Sequence, residues 1–280
     1  MKRVIACIDS SPCTHALADA AAWIAKKTHR ELVLLQILDY YPASYHLGEI
    51  SGVIGFESNA MLLKELAELE QKQSDIALEY SNNLLNYISE IITEKHGIEV
   101  SHLQEKGDFL EQSFSLLRED DIAVLGRVGE RSAEKNKTLG SNVENFIRGA
   151  NCTIMTVGET FKPPTRFIFA YEFSPTCTKM VKRIAQSDLL RLLQCHLLYV
   201  GDHPEILEEP ASYLVEAGLD VVTEYRYGDV AENILEYQKE HGIQLIVMGA
   251  FSHSKIHQFF LGSITTSIFR NVEIPLLVTK

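Results

Sequence analysis

Apolar positions along this 280-residue chain follow two alternating patterns. Short runs dense in Val, Ile and Leu are separated by stretches where apolar residues recur every three or four positions. The runs predict strands at Arg3–Asp9, Glu31–Leu38, Glu99–Gln104, Ile122–Gly126 and Thr153–Val157. A second set follows at Phe167–Glu172, His196–Gly201, Asp220–Tyr225, Gln244–Gly249 and Pro275–Thr279. Several are solidly apolar rather than alternating, as parallel strands covered on both faces require. Between the first two strands, Pro12–Lys27 opens on Ser-Pro and carries Ala16, Leu17, Ala20, Ala21 and Ile24 at helical spacing. Strand alternating with helix throughout both halves predicts an α/β fold of two tandem doubly wound domains.

The second half repeats the first. VIACIDSSPCT (4–14) is answered by FIFAYEFSPTC (167–177), and VLLQILD (33–39) by HLLYVGD (196–202), at the same offset. KGDFLEQSFSLLREDDIAVLG (106–126) pairs with YGDVAENILEYQKEHGIQLIVMG (227–249). TLGSNVENFIRGANCTIMTV (138–157) pairs with FLGSITTSIFRNVEIPLLVT (260–279). Four blocks in the same order argue for duplication and divide the chain into residues 1–158 and 166–280. Lys162-Pro163-Pro164 supplies a stiff, non-helical joint.

The halves differ in the connection after the second strand. It runs from Asp39 to Gly107 in the first half but only from Asp202 to Gly228 in the second, an insertion of about 40 residues placed near 40–80. Its opening, Tyr40–Phe56, is rich in Gly and aromatic residues and reads either as an irregular loop or as a lid over a ligand. A long helical stretch follows, with Leu62, Leu66, Leu69, Ile76, Tyr80, Leu84, Ile88 and Ile91 along one stripe. That stripe should cover a sheet face or a neighbouring subunit.

Composition narrows the function. Acidic residues number 38 against 26 basic ones, a formal net charge of −12. Such an excess repels phosphate backbones at long range and argues against general nucleic-acid binding, though a single nucleotide can still be held by backbone amides at a helix start. No apolar run approaches the ~20 residues of a membrane span. The apolar opening VIACI is cut off by Asp9, too early for a secretory leader, so a cytoplasmic chain is expected. Cys7, Cys13, Cys152, Cys177 and Cys195 form no CxxC pair and read as buried reduced thiols.

In an open doubly wound sheet, ligands sit beyond the carboxyl ends of the strands where strand order reverses. If the first and fourth strands of each half are neighbours, that rule brings together Asp9 with Gly126, and Glu172 with Gly249. The glycine turns continue as Gly126, Gly129, Gly140 and Ser141 in the first half, and as Gly249, Ser252, Gly262 and Ser263 in the second. A Gly directly after a strand lets the backbone approach a ribose or phosphate. A Gly-Ser at a helix start offers free N–H groups, a hydroxyl and the positive end of the dipole.

This ordered set, an acid closing the first strand and the spaced glycines after the fourth, resembles the universal stress protein family. The ending IPLLVTK is similar to that family's last strand, and the duplication resembles its tandem members. The resemblance implies a Rossmann-like or flavodoxin-like five-stranded parallel sheet in each half, ordered 3-2-1-4-5. It also implies an ATP or AMP in the crevice, with Mg accompanying ATP, an internal pseudo-dimer, action through protein partners and a possible homodimer. By the same resemblance, Asp9 faces the adenine-ribose end and Ile37 packs on adenine, while Gly126, Gly129, Gly140 and Ser141 form the ribose and phosphate turn. Val200 takes the adenine contact in the second half, with Gly249, Gly262 and Ser263 at its phosphate turn. Glu172 stands where the family has Asp, and Ser252 where it has its second Gly. The first half keeps both glycines but has one extra residue in its connecting stretch, ERSAEKNKTL, which is strongly charged.

Other chemistries lack their motifs. There is no GxxxxGK[S/T], no GxGxxG after either first strand and no GxSxG elbow. His253 and His257 share helical spacing but have no obvious third metal ligand. Cys195 and His196 should point to opposite faces of their strand. Glu119-Asp120-Asp121 reads as a helix-end turn, and Trp23 as core. No catalytic or metal-ligating residue is assigned. A non-binding adaptor with degenerate sites and a slow ATPase built on Asp9 remain the alternatives.

Overall fold

A computed structural model describes residues 2–38, 56–128, 141–249, 267–269 and 271–279, with backbone alone at 56–63, 141 and 176. The first half runs β1 (Arg3–Cys7), α1 (Thr14–Thr28), β2 (Glu31–Leu38), α2 (Phe56–His96), β3 (Val100–Lys106), α3 (Phe109–Leu116), β4 (Ile122–Gly126), α4 (Ser141–Gly149) and β5 (Thr153–Val157). The second runs β6 (Arg166–Tyr171), α5 (Pro175–Ala185), β7 (Gln194–Val200), α6 (Glu208–Glu216), β8 (Val221–Arg226), α7 (Val230–Glu240), β9 (Leu245–Gly249) and β10 (Leu276–Thr279).

All ten strands join one sheet, in the order β3-β2-β1-β4-β5-β10-β9-β6-β7-β8. Each half therefore has the order 3-2-1-4-5 expected of it, with parallel pairing inside each half. The halves meet where β5 pairs antiparallel with β10, Met155 opposite Leu277. An antiparallel central pair relates the halves by an approximate two-fold axis perpendicular to the sheet. The carboxyl ends of the two halves consequently lie on opposite edges.

Helices cover both faces, as the unbroken apolar strands demand. One face joins α1, α2, α5 and α6 into a core that includes Leu17, Ile24, Leu85, Ile88, Met180 and Leu214. The other is built on Phe146 and Ile147 of α4, Ile234 and Tyr237 of α7, and the helical pair Ile268 and Phe269. All five cysteines are buried, and none is in a disulfide. Burial alone pushes the Cys195 thiol far above its ordinary range. Cys195 belongs to the first face, whereas its neighbour His196 packs against Tyr237 on the second, the alternation that a strand imposes.

His196 is buried, its Nδ1 2.8 Å from the Tyr237 hydroxyl and its Nε2 3.1 Å from Gln194 Oε1. Burial, with help from His241 and Arg166 and against Asp220, holds its imidazole below the ordinary histidine range. The unfolded chain therefore binds the proton more readily than the folded one, so stability falls as pH drops below about 6.5. Urea unfolding of the wild type should lose more of its midpoint between about pH 7 and pH 5 than that of His196→Gln. Parallel losses in both proteins would remove His196 as the source.

One expectation needs correction. The helical stretch expected through Ile91 is α2, 41 residues ending at His96, but its apolar residues do not form a single stripe. Leu85, Ile88 and Ile92 are buried in the core, whereas Leu69, Ile76 and Tyr80 are exposed. The core row is pinned by Ser81, fully buried, which donates to Gln36 Oε1 at 2.5 Å and accepts from Gln104 Nε2. At the far end, Lys95 and His96 of α2 both bond Asp19 of α1, at 2.6 Å and 2.9 Å. Burial pushes the Asp19 carboxyl up, but those two partners outweigh it and hold the group below its usual value. Tyr40–Gly55, the candidate lid, lies outside the described residues, and Phe56 begins α2.

Glu119-Asp120-Asp121 does form a turn, with more in it than spacing suggests. Asp121 is buried, pairs with Arg3 through Nε at 3.1 Å and through Nη2, and accepts from the Arg118 amide at 2.9 Å. Trp23 is half-buried rather than central, its ring 5.8 Å from Phe161 just before the Pro-Pro joint.

Candidate functional site

The fold produces the expected crevice in the first half. Helix α1, after β1, lies on one face, and α4, after β4, lies on the other. Strands β1 and β4 are neighbours, with Cys7 opposite Leu125, so their carboxyl ends part between the two helix layers. Asp9 and Gly126 stand at that parting.

Strand β1 stops at Cys7, two residues short of the expected end, because Asp9 turns the chain. Its Oδ1 accepts from the Ser11 amide at 3.1 Å, a short-range turn of the kind Asp readily makes. Thr14 locks the turn, its hydroxyl donating to Ser11 O at 2.9 Å and to Asp9 O. The Asp9 side chain remains half-buried. Ile37, at the end of β2, is half-buried and packs on the same side of the sheet as Leu35 and Leu125. The structure thus brings Asp9, Ile37 and Gly126 to one edge.

Gly126 is required by packing. A Cβ there would lie 2.9 Å from Cys13 Cβ and 3.5 Å from Ser11 Oγ, so any side chain would push the β1–α1 turn outward. Ser11 is the residue that sequence reasoning misses. Its hydroxyl is fully buried and makes no hydrogen bond among the described residues, in the angle between Asp9 and Gly126. A buried orphan hydroxyl is costly and calls for a partner. No motif marks it; only its position two residues past the acid could have drawn attention. Tyr80 of α2 reaches the same turn, its hydroxyl 3.2 Å from Ser10 Oγ.

Ser141 begins α4, which agrees with a helix start at Gly140-Ser141. Gly129 and Gly140 themselves lie outside the described residues, as do Ser252, Gly262, Ser263 and the pair His253 and His257.

The second crevice is built differently. Gly249 ends β9 beside β6, and Val200 ends β7 half-buried. Glu172, however, is exposed. Its Oε1 accepts from Ser174 Oγ at 3.1 Å, and Ser174 in turn caps α5 by accepting from the Cys177 amide at 3.2 Å. The longer acid is spent on a helix cap instead of facing the parting of the strands. Phe173 beside it is 80% exposed.

A groove of about 790 Å³ lies elsewhere, at the amino ends of β1, β4 and β5, lined by Lys2, Ile122 and Thr153 among others. It touches neither acid. Among the described residues, no group of His, Cys, Asp or Glu has the arrangement of a metal site.

The whole of this first half, residues 1–158, together with 208–280, matches the model of the universal stress protein family. The chain belongs to that family. The match passes over 159–207, the stretch that carries β6, α5 and β7, and with them Glu172 and Val200. Along its full length the chain is 29% identical to the universal stress protein Slr1230 of Synechocystis sp., covering 100% of both chains. It is 32% identical over 76 residues to the universal stress protein YxiE of Bacillus subtilis, covering 27% of this chain and 51% of that one. A universal stress protein from Archaeoglobus fulgidus has the same fold, with a TM-score of 0.74 at 18% identity over 99% of this chain and 98% of that one.

Proposed function

We propose that this universal stress protein binds an adenine nucleotide, ATP or AMP, in the first crevice and acts in the stress response through protein partners. The reading divides the chain into two family units, 1–158 and 166–280, of which the first holds the competent site. The observation that carries it is the buried, unpaired Ser11 hydroxyl between the half-buried Asp9 carboxylate and Gly126. A carboxylate acceptor beside a hydroxyl suits the paired hydroxyls of a ribose. Ile37 offers an apolar surface for the base, and Gly129, Gly140 and Ser141 are the family positions for the phosphates, with Mg accompanying ATP. The second crevice has its acid turned to solvent and falls largely in the stretch the family match omits. It serves as scaffold. A cytoplasmic location goes with this reading.

Calorimetry with ATP and with AMP tests it. One nucleotide should bind per chain, and Asp9→Asn, which keeps an acceptor for the Ser11 amide, should weaken binding about tenfold or more. Glu172→Ala should leave affinity unchanged. Absence of heat at millimolar nucleotide, or a loss with Glu172→Ala but not Asp9→Asn, overturns the assignment.

A further inference from the structure

The turn that leaves β4 opens into the first crevice, yet the second half of the chain holds it. Arg127, the residue after Gly126, is buried. Its amide donates to Val157 O, at the end of β5, at 2.8 Å. Its guanidinium reaches across the end of β5 and donates to Val272 O and, at 2.6 Å, to Ile274 O. Both carbonyls belong to the segment that leads into β10. That segment runs close along the end of β5, since a Cβ at Gly158 would stand 3.4 Å from Glu273 O. On the crevice side the turn is just as tightly placed. A Cβ at Gly126 would meet Cys13 Cβ at 2.9 Å, and Ser11 Oγ and Val128 O at 3.5 Å. The start of the turn is thus pinned between the β1–α1 turn and a piece of the other half.

The repeat makes this contact one-sided. Gly126 corresponds to Gly249, so Ala250 stands at the place of Arg127. A methyl group has no donor, and no equivalent side-chain bond can run from that position to the first half. The location of Arg127 also matters. A donor anywhere along the seam would tie the halves together, but this one sits inside the turn between Gly126 and Gly129. What fixes Arg127 therefore fixes the start of the backbone that follows. A turn ordered before its ligand arrives loses less conformational entropy on binding.

We propose that Arg127 is a positioning residue for the nucleotide site, through which the second half of the chain presets the phosphate-side turn of the first. The proposal rests on the first crevice being the nucleotide site, and it makes affinity there depend on two backbone carbonyls of the other half. Because coupling is reciprocal, nucleotide in the first crevice must also steady the segment Val272–Ile274. Calorimetry with ATP, on protein that circular dichroism shows to be folded, reads the first part. Arg127→Met, which keeps the bulk but not the donors, should weaken binding about tenfold, and Arg127→Lys, which keeps a donor, should recover part of that loss. Hydrogen exchange on the wild type reads the second part and needs no variant to fold. Saturating ATP should slow exchange in peptides covering 271–276 as well as 9–14, and in Arg127→Met only the protection at 9–14 should remain. A wild type that binds no ATP overturns the site and this inference with it. If wild type and Arg127→Met bind ATP equally well, the inference alone falls, and Arg127 serves the seam only. Protection at 271–276 that is absent from the wild type, or that survives in Arg127→Met, has the same consequence.

Discussion

Arg127→Ala is expected to lower the free energy of unfolding by roughly 3–5 kcal/mol and to loosen the two halves from each other. Arg127 follows Gly126 directly at the end of β4, yet its guanidinium is spent across the seam. Nη1 donates to Val272 O and Nη2 to Ile274 O at 2.6 Å, both in the segment leading into β10. The side chain is buried, and burial lowers its affinity for the proton despite Cys13 and Glu273 nearby. Removing it leaves two carbonyls without their donors and opens a space at the joint between first and second halves. Arg127→Met, which fills the space but cannot donate, should recover only the packing part. Chemical unfolding followed by both tryptophan fluorescence and far-ultraviolet dichroism gives the measurement. Trp23, the only tryptophan, reports the first half alone. In the variant the two signals should separate, where the wild type gives one transition. Coincident transitions with a loss below about 1 kcal/mol would show that the β5–β10 ladder holds the seam unaided.

Asp121→Ala should cost about 3 kcal/mol, for a different reason. The Asp121 side chain is 1% exposed and that of its partner Arg3 12%. Truncating the acid strands a largely buried guanidinium, which keeps the Leu116 O bond at 2.9 Å and the nearby charge of Glu31, and frees the Arg118 amide. Breaking such a pair is much worse than never having it. The double variant Arg3→Met/Asp121→Leu should therefore be less destabilised than Asp121→Ala alone, a non-additivity that a double-mutant cycle in urea measures directly. Equal, additive losses would mean that Arg3 swings into water at no cost.

Much of the fold was legible before any coordinates. Duplication follows from the four repeated blocks, and ten strands with their approximate bounds from apolar runs, since a strand buried on both faces can hardly be written otherwise. Three of the ten, at Glu31–Leu38, Ile122–Gly126 and Thr153–Val157, coincide with their expected bounds. The exceptions have local causes. Asp9 ends β1 early by bonding the Ser11 amide, a choice between turn and strand that the side chain makes and periodicity does not record. The apolar residues of α2 read as one stripe because a window of hydrophobicity cannot distinguish a row facing the body from a row facing outward.

The candidate site was legible in part. Acid, glycine and apolar contact were marked by position at strand ends, and topology brings Asp9, Ile37 and Gly126 together. Ser11 carried no signal, because an unpaired hydroxyl is defined by what surrounds it. Likewise Glu172 and Asp9 hold equivalent places in the repeat, and only the structure shows one half-buried and the other spent on the Ser174 cap.

The order of residues thus determined by itself the alternation of strands and helices, their duplication, and the acid and glycine that close the first and fourth strands, because burial periodicity and strand chemistry are local properties of the chain. The tertiary structure alone decided that the halves fuse through antiparallel β5 and β10, that Arg127 and Asp121 become buried anchors, and that Leu69 and Ile76 of α2 are left exposed while Leu85, Ile88 and Ile92 are buried. Each of those depends on which distant groups meet and which are left facing water, and no local pattern encodes that.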